Sequence, residues 1–309
     1  MKNMIVRRWG PAALAFPTWA YAVFFFLIPV AMVLYYSFGY KPDEFSAVAT
    51  DHLGLDSYRA VFSGSVLITF LHTLRISITG TLLCLVIALP FAYWLAIKVR
   101  PEWRGLLLAI VMVPFWTNFL VRTIGWHVIL SPEGVISQIL GYPIDVLYTR
   151  KAVQIGVVYN YLPLMILPLF VAIDRAGHAL REASYDLGAG KVATFFYVTL
   201  PLAQPGIISG CLLVFIPLTG DYVTASVLGG ASGSMIGQVI AQQFTTAQNW
   251  ALGSAMAVTL ILATVSVILL AALIGYLVTF IMRRVNALSL DGVTPSAPVT
   301  SAHQEGAAS

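Results

Sequence analysis

Charged residues are scarce in this chain of 309 residues, where Asp, Glu, Lys and Arg together make up 10% of the sequence. An average soluble domain carries roughly 25% charged residues. Apolar residues account for 59% of the chain, and the mean hydropathy is +0.86. This composition excludes a water-soluble globule, a disordered chain and a fibrous chain. It is typical of an integral membrane protein.

The residues that build metal sites, disulfides and catalytic centres are also few. The chain has 2 cysteines, Cys84 and Cys211, and both fall inside apolar runs, so the sequence offers no disulfide framework and no metal-ligand spacing. Its 5 histidines are scattered and form no recognisable catalytic pattern. We therefore predict no catalytic residue, no cofactor site and no metal site. The net charge of +4 is attributed to membrane topology rather than to nucleic-acid binding.

Six apolar segments are long enough to cross a membrane, which takes about 20 residues in a helix. They cover residues 18–38, 76–97, 105–121 (continuing past Arg122 to 130), 152–173, 206–228 and 251–282. Pro217, Gly220 and Asp221 interrupt the fifth segment. The first segment is longer than the apolar core of a signal peptide, and we interpret it as a membrane helix. The sequence thus predicts an all-α integral membrane protein with six transmembrane helices, with short helices in the connections 131–151 and 235–250.

The distribution of basic residues predicts the orientation. If the N-terminus is inside, 11 of the 17 Lys and Arg residues lie on the inner side and 4 on the outer side, while Arg75 and Arg122 lie at membrane depth. Basic residues favour the cytoplasmic side, so we expect both termini to be cytoplasmic. Residues 1–17 then form a cytoplasmic N-terminus and residues 18–284 the six-helix membrane domain. Residues 285–309, rich in Ala, Ser, Pro and Thr, are expected to form a disordered cytoplasmic tail.

The longest predicted inner loop covers residues 174–200. It is charged and helix-permissive, and Gly188 and Gly190 interrupt it, which predicts two short helices joined by a glycine turn. The run from Gly188 to Lys191 is similar to part of a phosphate-binding loop. However, Tyr185 stands where such a loop has its first glycine and Val192 where it has Ser or Thr. We therefore expect no nucleotide site in this chain.

A longer pattern in the same loop points to a family. Glu182-Ala183-Ser184 is followed after three residues by Gly188 and, after nine more, by Val198-Thr199-Leu200-Pro201. This arrangement resembles the EAA loop of ABC importer permeases, which belong to the binding-protein-dependent transport family. The family pattern is Glu-Ala-Ala, three residues, Gly, nine residues, Ile-x-Leu-Pro. Ser184 and Val198 depart from it, and both are close in size to the residues that they replace.

The resemblance implies that residues 174–200, which we call the coupling loop, form a helix that docks into a separate ATPase subunit. Its coupling residues would be Glu182, Ala183, Ser184, Gly188, Leu200 and Pro201. The small side chains of Ala183 and Ser184 allow a close approach, and Gly188 permits the positive φ angle that a sharp turn needs. Pro201 is expected to end the loop helix and to start the fifth span.

The resemblance also implies the surroundings of the chain. It would be a transport subunit in the bacterial cytoplasmic membrane, in contact with membrane lipid, and would not be an enzyme itself. Its partners would be a pair of ABC ATPase subunits, a second permease subunit (another chain or a copy of this one) and an extracytoplasmic solute-binding protein. No nucleic acid is expected among them.

Further stretches are similar to the spermidine/putrescine importer permeases. Residues 113–123 read Val-Pro-Phe-Trp-Thr-Asn-Phe-Leu-Val-Arg-Thr, residues 161–165 read Tyr-Leu-Pro-Leu-Met, and Ile216-Pro217 begins a stretch that reaches Gly230. This resemblance implies polyamine import. The alternatives are an ABC permease for another small solute (iron, thiamine, an opine or an amino-acid-like compound) and an ion-driven secondary transporter. A secondary transporter favours paired broken helices, whereas here only the fifth segment is clearly interrupted.

Asp221 is the acidic residue at membrane depth in the fifth segment, and an ionisable group there is a candidate functional residue. Aromatic faces could hold an ammonium group beside it, and five residues could supply them: Tyr222, Phe215, Trp116, Tyr159 and Tyr161. Of these we take Tyr222, Trp116 and Tyr159 as candidates for the substrate pathway. In the alternative interpretation, Asp221 pairs with Arg75 or Arg122, which would leave no free charge for a polyamine, and the aromatic residues serve packing.

Overall fold

The computed structural model describes residues 15–177 and 179–290, with side chains up to residue 277. The chain divides into two units, residues 1–264 and residues 265–309, and the fold described below is that of the first. Regular structure in the described residues is almost entirely helical, with an isolated antiparallel bridge between Tyr40 and Ala49. The predicted all-α class is confirmed.

The helices of the described residues are, in chain order, α1 (Ala15–Tyr36), α2 (Asp56–Val61), α3 (Gly64–Ile97), α4 (Pro101–Trp116), α5 (Phe119–Leu130), α6 (Val135–Leu140), α7 (Arg150–Arg175), α8 (Ala179–Asp186), α9 (Lys191–Thr219), α10 (Ala225–Gly229), α11 (Ile236–Thr245) and α12 (Trp250–Leu290). The short α10 is a π-helical turn. Helices α6 and α11 lie in the two connections where short helices were predicted. Helix α12 includes residues 285–290, which were expected to be disordered; residues 1–14 and 291–309 lie outside the described residues.

Five helices of the described part are long and apolar enough to cross a membrane, namely α1, α3, α7, α9 and α12. The third predicted segment differs from expectation, because the chain bends by 88° between α4 and the stretch Phe119–Leu140, which holds α5 and α6. Counted as one span, this bent pair gives the predicted total of six.

The break in the third segment has a local cause. Pro114 lies in the last turn of α4, and Thr117 is extended, with ψ of 154°. The side chain of Asn118 then accepts hydrogen bonds from the backbone N–H groups of Leu120 (2.8 Å) and Val121 (3.4 Å). An asparagine that satisfies free N–H groups in this way starts a new helix. The expectation of one continuous span from residue 105 to 130 was therefore wrong.

The fifth segment breaks where predicted but starts earlier. Helix α9 ends at Thr219, just after Pro217, and Gly220 and Asp221 precede α10. At its other end, α9 begins at Lys191 instead of near residue 206, and it passes through Pro201 without ending.

A π-helical turn (Phe195–Thr199) explains why Pro201 does not end the helix. It lies directly before the proline and is closed by the N–H of Leu200, which donates to the carbonyl of Phe195. Wider turns of this kind occur inside α-helices, often at functional sites. Pro201 lacks an N–H group but sits at the start of the helical turn that follows, where none is needed. The prediction that Pro201 separates the loop helix from the span is therefore wrong.

Helix α7 lies at the centre of the first unit and packs against both α3 and α9. Buried side chains of α7, among them Met165, Leu169 and Ile173, form much of this core. Gly206 allows α9 to lie close against α7, since a Cβ atom at this position would meet the carbonyl oxygen of Pro168 at 2.7 Å. Small residues at helix contacts are typical of membrane proteins. This packing holds α9, and with it the coupling loop, against the centre of the unit.

Candidate functional site

The coupling loop is built from α8, a short turn and the beginning of α9. Across the turn, the N–H groups of Leu187, Gly188 and Ala189 donate to carbonyl oxygens of α8 at 3.1, 2.9 and 3.0 Å. Gly188 has φ of +83°, a conformation that L residues rarely adopt. The prediction of two helical pieces joined by a glycine turn is confirmed, and Gly188 has the positive φ that the sequence led us to expect.

A side-chain hydrogen bond joins the two arms of the loop. The hydroxyl groups of Ser184 on α8 and Thr194 on α9 lie 2.9 Å apart. Thr194 is 1% exposed, so the bond is shielded from water on one side. Ser184, one of the two departures from the family pattern, thus has a partner of its own in this chain.

The two faces of α8 differ. Arg181, Ser184 and Tyr185 share one face by their i, i+3 and i+4 spacing, and Arg181 is 4% exposed. Glu182, Ala183 and Asp186 are exposed on the other face. Of the predicted coupling residues, Glu182 and Ala183 are thus available to a partner, whereas Ser184 faces inward. We call the exposed side of α8 with the adjoining Leu187 the docking face.

Two leucines on the docking face were not predicted from the sequence. Leu180 is more than half exposed and Leu187 is 89% exposed. With Ala183 between them they follow an i, i+3, i+7 spacing, which places three apolar side chains in one stripe. That spacing is readable in the sequence, and it is the signal that could have found them.

The other two predicted coupling residues lie further along the chain. Leu200 is half-buried and Pro201 is exposed, and both lie inside α9 rather than at its start. The loop is held at its base by an ion pair, in which Arg104 Nη1 lies 2.6 Å from Asp174 Oδ1 at the end of α7. The edge-to-face rings of Tyr93 and Phe195, 5.2 Å apart, join α3 to the π-helical turn. The docking face is thus joined to α9 through the glycine turn and the Ser184–Thr194 hydrogen bond.

Asp221 occupies the break after α9 and is 6% exposed. Its Oδ1 accepts a hydrogen bond from the backbone N–H of Thr224 at 3.0 Å, and its Oδ2 accepts one from the Thr224 hydroxyl at 2.6 Å. The Tyr161 hydroxyl of α7 lies close to the same carboxylate. These contacts explain how a carboxylate is tolerated at this depth: hydrogen bonds replace the water that it would otherwise lose.

No arginine forms an ion pair with Asp221 in the part of the chain that the structure describes. The guanidinium of Arg122 lies over the rings of Phe115 and Phe119 instead, at 5.6 and 5.5 Å from their centres. Its Nε and Nη1 atoms are buried, and neither has a hydrogen-bond partner within residues 15–177 and 179–290. Of the two interpretations of Asp221, the geometry does not support the one in which its charge is consumed by Arg75 or Arg122.

The three aromatic candidates do not form one cage with Asp221. Tyr159 packs on Trp126 with ring centres 5.3 Å apart. Trp116 is 85% exposed at the end of α4, and Tyr222, next to Asp221 in sequence, is also exposed. Tyr161, one of the other aromatic residues considered beside Asp221, approaches the carboxylate.

Comparisons with known proteins agree with this architecture. The model of a family described as "Binding-protein-dependent transport system inner membrane component" matches residues 12–287. The spermidine/putrescine transport system permease protein PotB of Haemophilus influenzae is 40% identical over 245 residues, 77% of this chain and 85% of that protein. The inner membrane ABC transporter permease protein YdcU of Escherichia coli K12 is 31% identical over 221 residues, 66% of this chain and 70% of that protein.

A solved structure shares the fold at low sequence identity. It is a bacterial ABC transporter involved in the import of the acidic polysaccharide alginate, with a TM-score of 0.71 at 16% identity, covering 90% of this chain and 98% of the other. A second solved structure, the inward-facing MetNI methionine ABC transporter, has a TM-score of 0.52 at 20% identity and covers 66% of this chain and 91% of that chain.

Proposed function

We propose a function from one premise: the chain belongs to the family of binding-protein-dependent transport system inner membrane components. It is a multi-pass permease subunit of an ABC importer in the bacterial inner membrane, and ATP hydrolysis takes place in a partner subunit. The finer proposal has three parts: the solute is a polyamine of the spermidine/putrescine class, the coupling loop receives the motion of the ATPase, and Asp221 lies on the solute pathway.

The polyamine proposal is supported by the relatives and by the charge of the pathway residue. Proteins named as spermidine/putrescine permeases match 77% of the chain. A polyamine is a chain of ammonium groups separated by methylenes, so its passage is helped by an acidic group at membrane depth with no fixed counter-ion. Asp221 has these properties: it is buried, it is hydrogen-bonded through Thr224, and no arginine of the described residues pairs with it.

The coupling proposal is supported by the docking face. A partner groove would receive the apolar stripe of Leu180, Ala183 and Leu187, with Glu182 at its edge for a basic group of the partner. Gly188 sets the turn, and Leu200 and Pro201 lie in the helix that carries the motion onward. A displacement of the docking face crosses the Gly188 turn, where the Ser184–Thr194 hydrogen bond holds the two arms together. Because α9 runs as one span from Lys191 to Thr219, with a single turn residue at Ala203, it then reaches the break at Asp221. This continuity is the observation that carries the proposal.

The partners follow from these surfaces. We propose a dimer of ABC ATPase subunits on the docking face, a second permease subunit beside this one, and a solute-binding protein on the opposite side of the membrane. A related fold is known in complex with a periplasmic protein, the alginate transporter with its pentasaccharide-bound partner, at a TM-score of 0.70. Helix α1, whose apolar side chains are exposed along its length, is available for lipid or for the second permease.

The Asp221→Asn variant tests the pathway. Asparagine keeps an oxygen that can accept the Thr224 N–H, so the chain should insert normally, while the negative charge is lost. Uptake of radiolabelled putrescine by the complete importer in proteoliposomes should fall roughly tenfold or more, since a hydrogen bond to a charged group contributes about 1.5–3 kcal/mol. Asp145→Asn, at an exposed carboxylate, is the control. Unchanged uptake in Asp221→Asn, or a loss of protein abundance that accounts for all of the effect, would contradict the pathway role.

A further inference from the structure

A cavity of about 310 Å³ lies on the inner side of the coupling loop, away from Asp221. Its walls come from three helices: Tyr93, Ile97 and Lys98 at the end of α3, Tyr185 of α8, and Lys191 and Phe196 of α9. Neither the docking face nor the solute pathway uses this cavity. It is therefore a separate site, formed where a membrane span meets the loop.

The cavity is cationic. Two lysines line it and no carboxylate is among its lining residues. Arg181 does not line the cavity, but it is close enough to the lining residue Tyr93 to act electrostatically on its hydroxyl group. It is buried, and its Nη1 atom has no hydrogen-bond partner among the described residues. A buried cation without a partner is costly. An anion placed in the cavity would reduce that cost and would also meet the ammonium groups of Lys98 and Lys191.

The cavity lies at the end of a membrane span, and this position favours a lipid headgroup as the anion. Tyr185 lies on the same face of α8 as Arg181, so the cavity is lined by the face of α8 that differs from the docking face, where the ATPase is proposed to bind. Ile97 is the last residue of the span α3, and Lys98 follows it. Exposed apolar and aromatic side chains surround the region, including Val192, Phe196 and Tyr197. Aromatic residues beside lysines at the end of a span are typical of the membrane–water interface.

We propose that this cavity binds the phosphate headgroup of an anionic phospholipid, with Lys98 and Lys191 as direct ligands, Arg181 as the buried counter-charge and Phe196 against the acyl chains. Basic pockets between transmembrane helices on the cytoplasmic side bind such headgroups in other membrane proteins. The assignment to the cytoplasmic leaflet rests on the proposed function, whereas the interfacial position and the lipid class do not. A lipid seated here bridges the end of α3 and both arms of the coupling loop.

The test uses the complete importer in nanodiscs of phosphatidylcholine doped with phosphatidylglycerol. Native mass spectrometry after detergent release measures which lipid stays bound. Wild-type protein should retain phosphatidylglycerol in preference to phosphatidylcholine. The double variant Lys98→Gln/Lys191→Gln should lose that preference by roughly tenfold or more, because it removes two cationic contacts. Lys151→Gln is the matched control, because Lys151 is an exposed lysine at the start of α7, a helix that does not line the cavity. This variant should behave as wild type.

Further arms separate the possible sources of the anion. Inorganic phosphate added in excess should not displace the lipid, since it lacks the acyl chains; displacement would show a site for free phosphate and would overturn the proposal. Equal retention of phosphatidylglycerol by the double variant would overturn it too. So would loss of the ATPase subunit with lipid retention unchanged, because the lysines would then serve a protein carboxylate. Lipid retention is measured without ATP or solute, so a failure of the polyamine proposal would leave it intact.

Discussion

The hydroxyl groups of Ser184 and Thr194 share a hydrogen bond of 2.9 Å that spans the glycine turn of the coupling loop. It joins α8, which carries the docking face, to the first turn of α9. Since Thr194 is buried, the bond is not readily replaced by water. The two arms of the loop are thereby held as one unit, as a force-transmitting element requires.

The first prediction concerns this hydrogen bond. Ser184→Ala and Thr194→Val should each speed amide hydrogen exchange in the turn about fivefold, because a buried neutral hydrogen bond contributes about 1 kcal/mol. The double variant should speed exchange little more than either single variant does, since the same hydrogen bond is removed in all three. The measurement is exchange at Leu187, Gly188 and Ala189 in the reconstituted importer.

Ser63→Ala is the control for this series, because its hydroxyl donates to the carbonyl of Ala60, far from the loop in sequence. Exchange in the turn should not respond to it. Fully additive effects of Ser184→Ala and Thr194→Val would show that the two hydroxyl groups act independently and that no shared bond holds the arms together.

The second prediction compares two glycines of the same turn. Adding a Cβ meets no atom within 4 Å at either Gly188 or Gly190, so any difference comes from the backbone. Gly188 has φ of +83° and Gly190 has φ of −72°. Alanine in the left-handed region costs about 1–2 kcal/mol, so Gly188→Ala should lower ATP-driven uptake several-fold while Gly190→Ala changes it little. Equal effects of both variants on uptake would contradict the role of the positive φ.

The third prediction concerns the docking face. Leu187→Asp places a charge at the end of the apolar stripe of the docking face, where desolvation without a partner is costly. Co-purification of the ATPase with the permease should fall roughly tenfold or more, with the chain still inserted in the membrane. Leu53→Asp, at another exposed leucine, is the control for added charge. Full retention of the ATPase by Leu187→Asp would place its binding surface elsewhere.

The sequence was sufficient for features that depend on local composition. Apolar length defined the spans, and the glycine spacing predicted the turn at Gly188. The break before Asp221 followed from Pro217 and Gly220, since both residues weaken a helix. Each of these properties is determined within a few residues along the chain.

The features that the sequence did not predict depend on contacts or on competing local signals. A proline usually ends a helix. Here a π-helical turn comes directly before Pro201, and the helix continues through it. The bend at Asn118 was readable as a helix cap, but the apolar run around it favoured a single span. The Ser184–Thr194 hydrogen bond and the approach of Tyr161 to Asp221 join separate segments, and no local pattern encodes them.

The central claim is that this permease opens only when a separate ATPase moves its coupling loop. The most direct measurement is uptake of radiolabelled putrescine into proteoliposomes that contain the permease subunits and internal ATP, with the binding protein outside, in the presence and absence of the ATPase subunit. We predict uptake against a gradient only when the ATPase is present, and none with Glu182→Lys at the docking face. Equal uptake without the ATPase would contradict the claim.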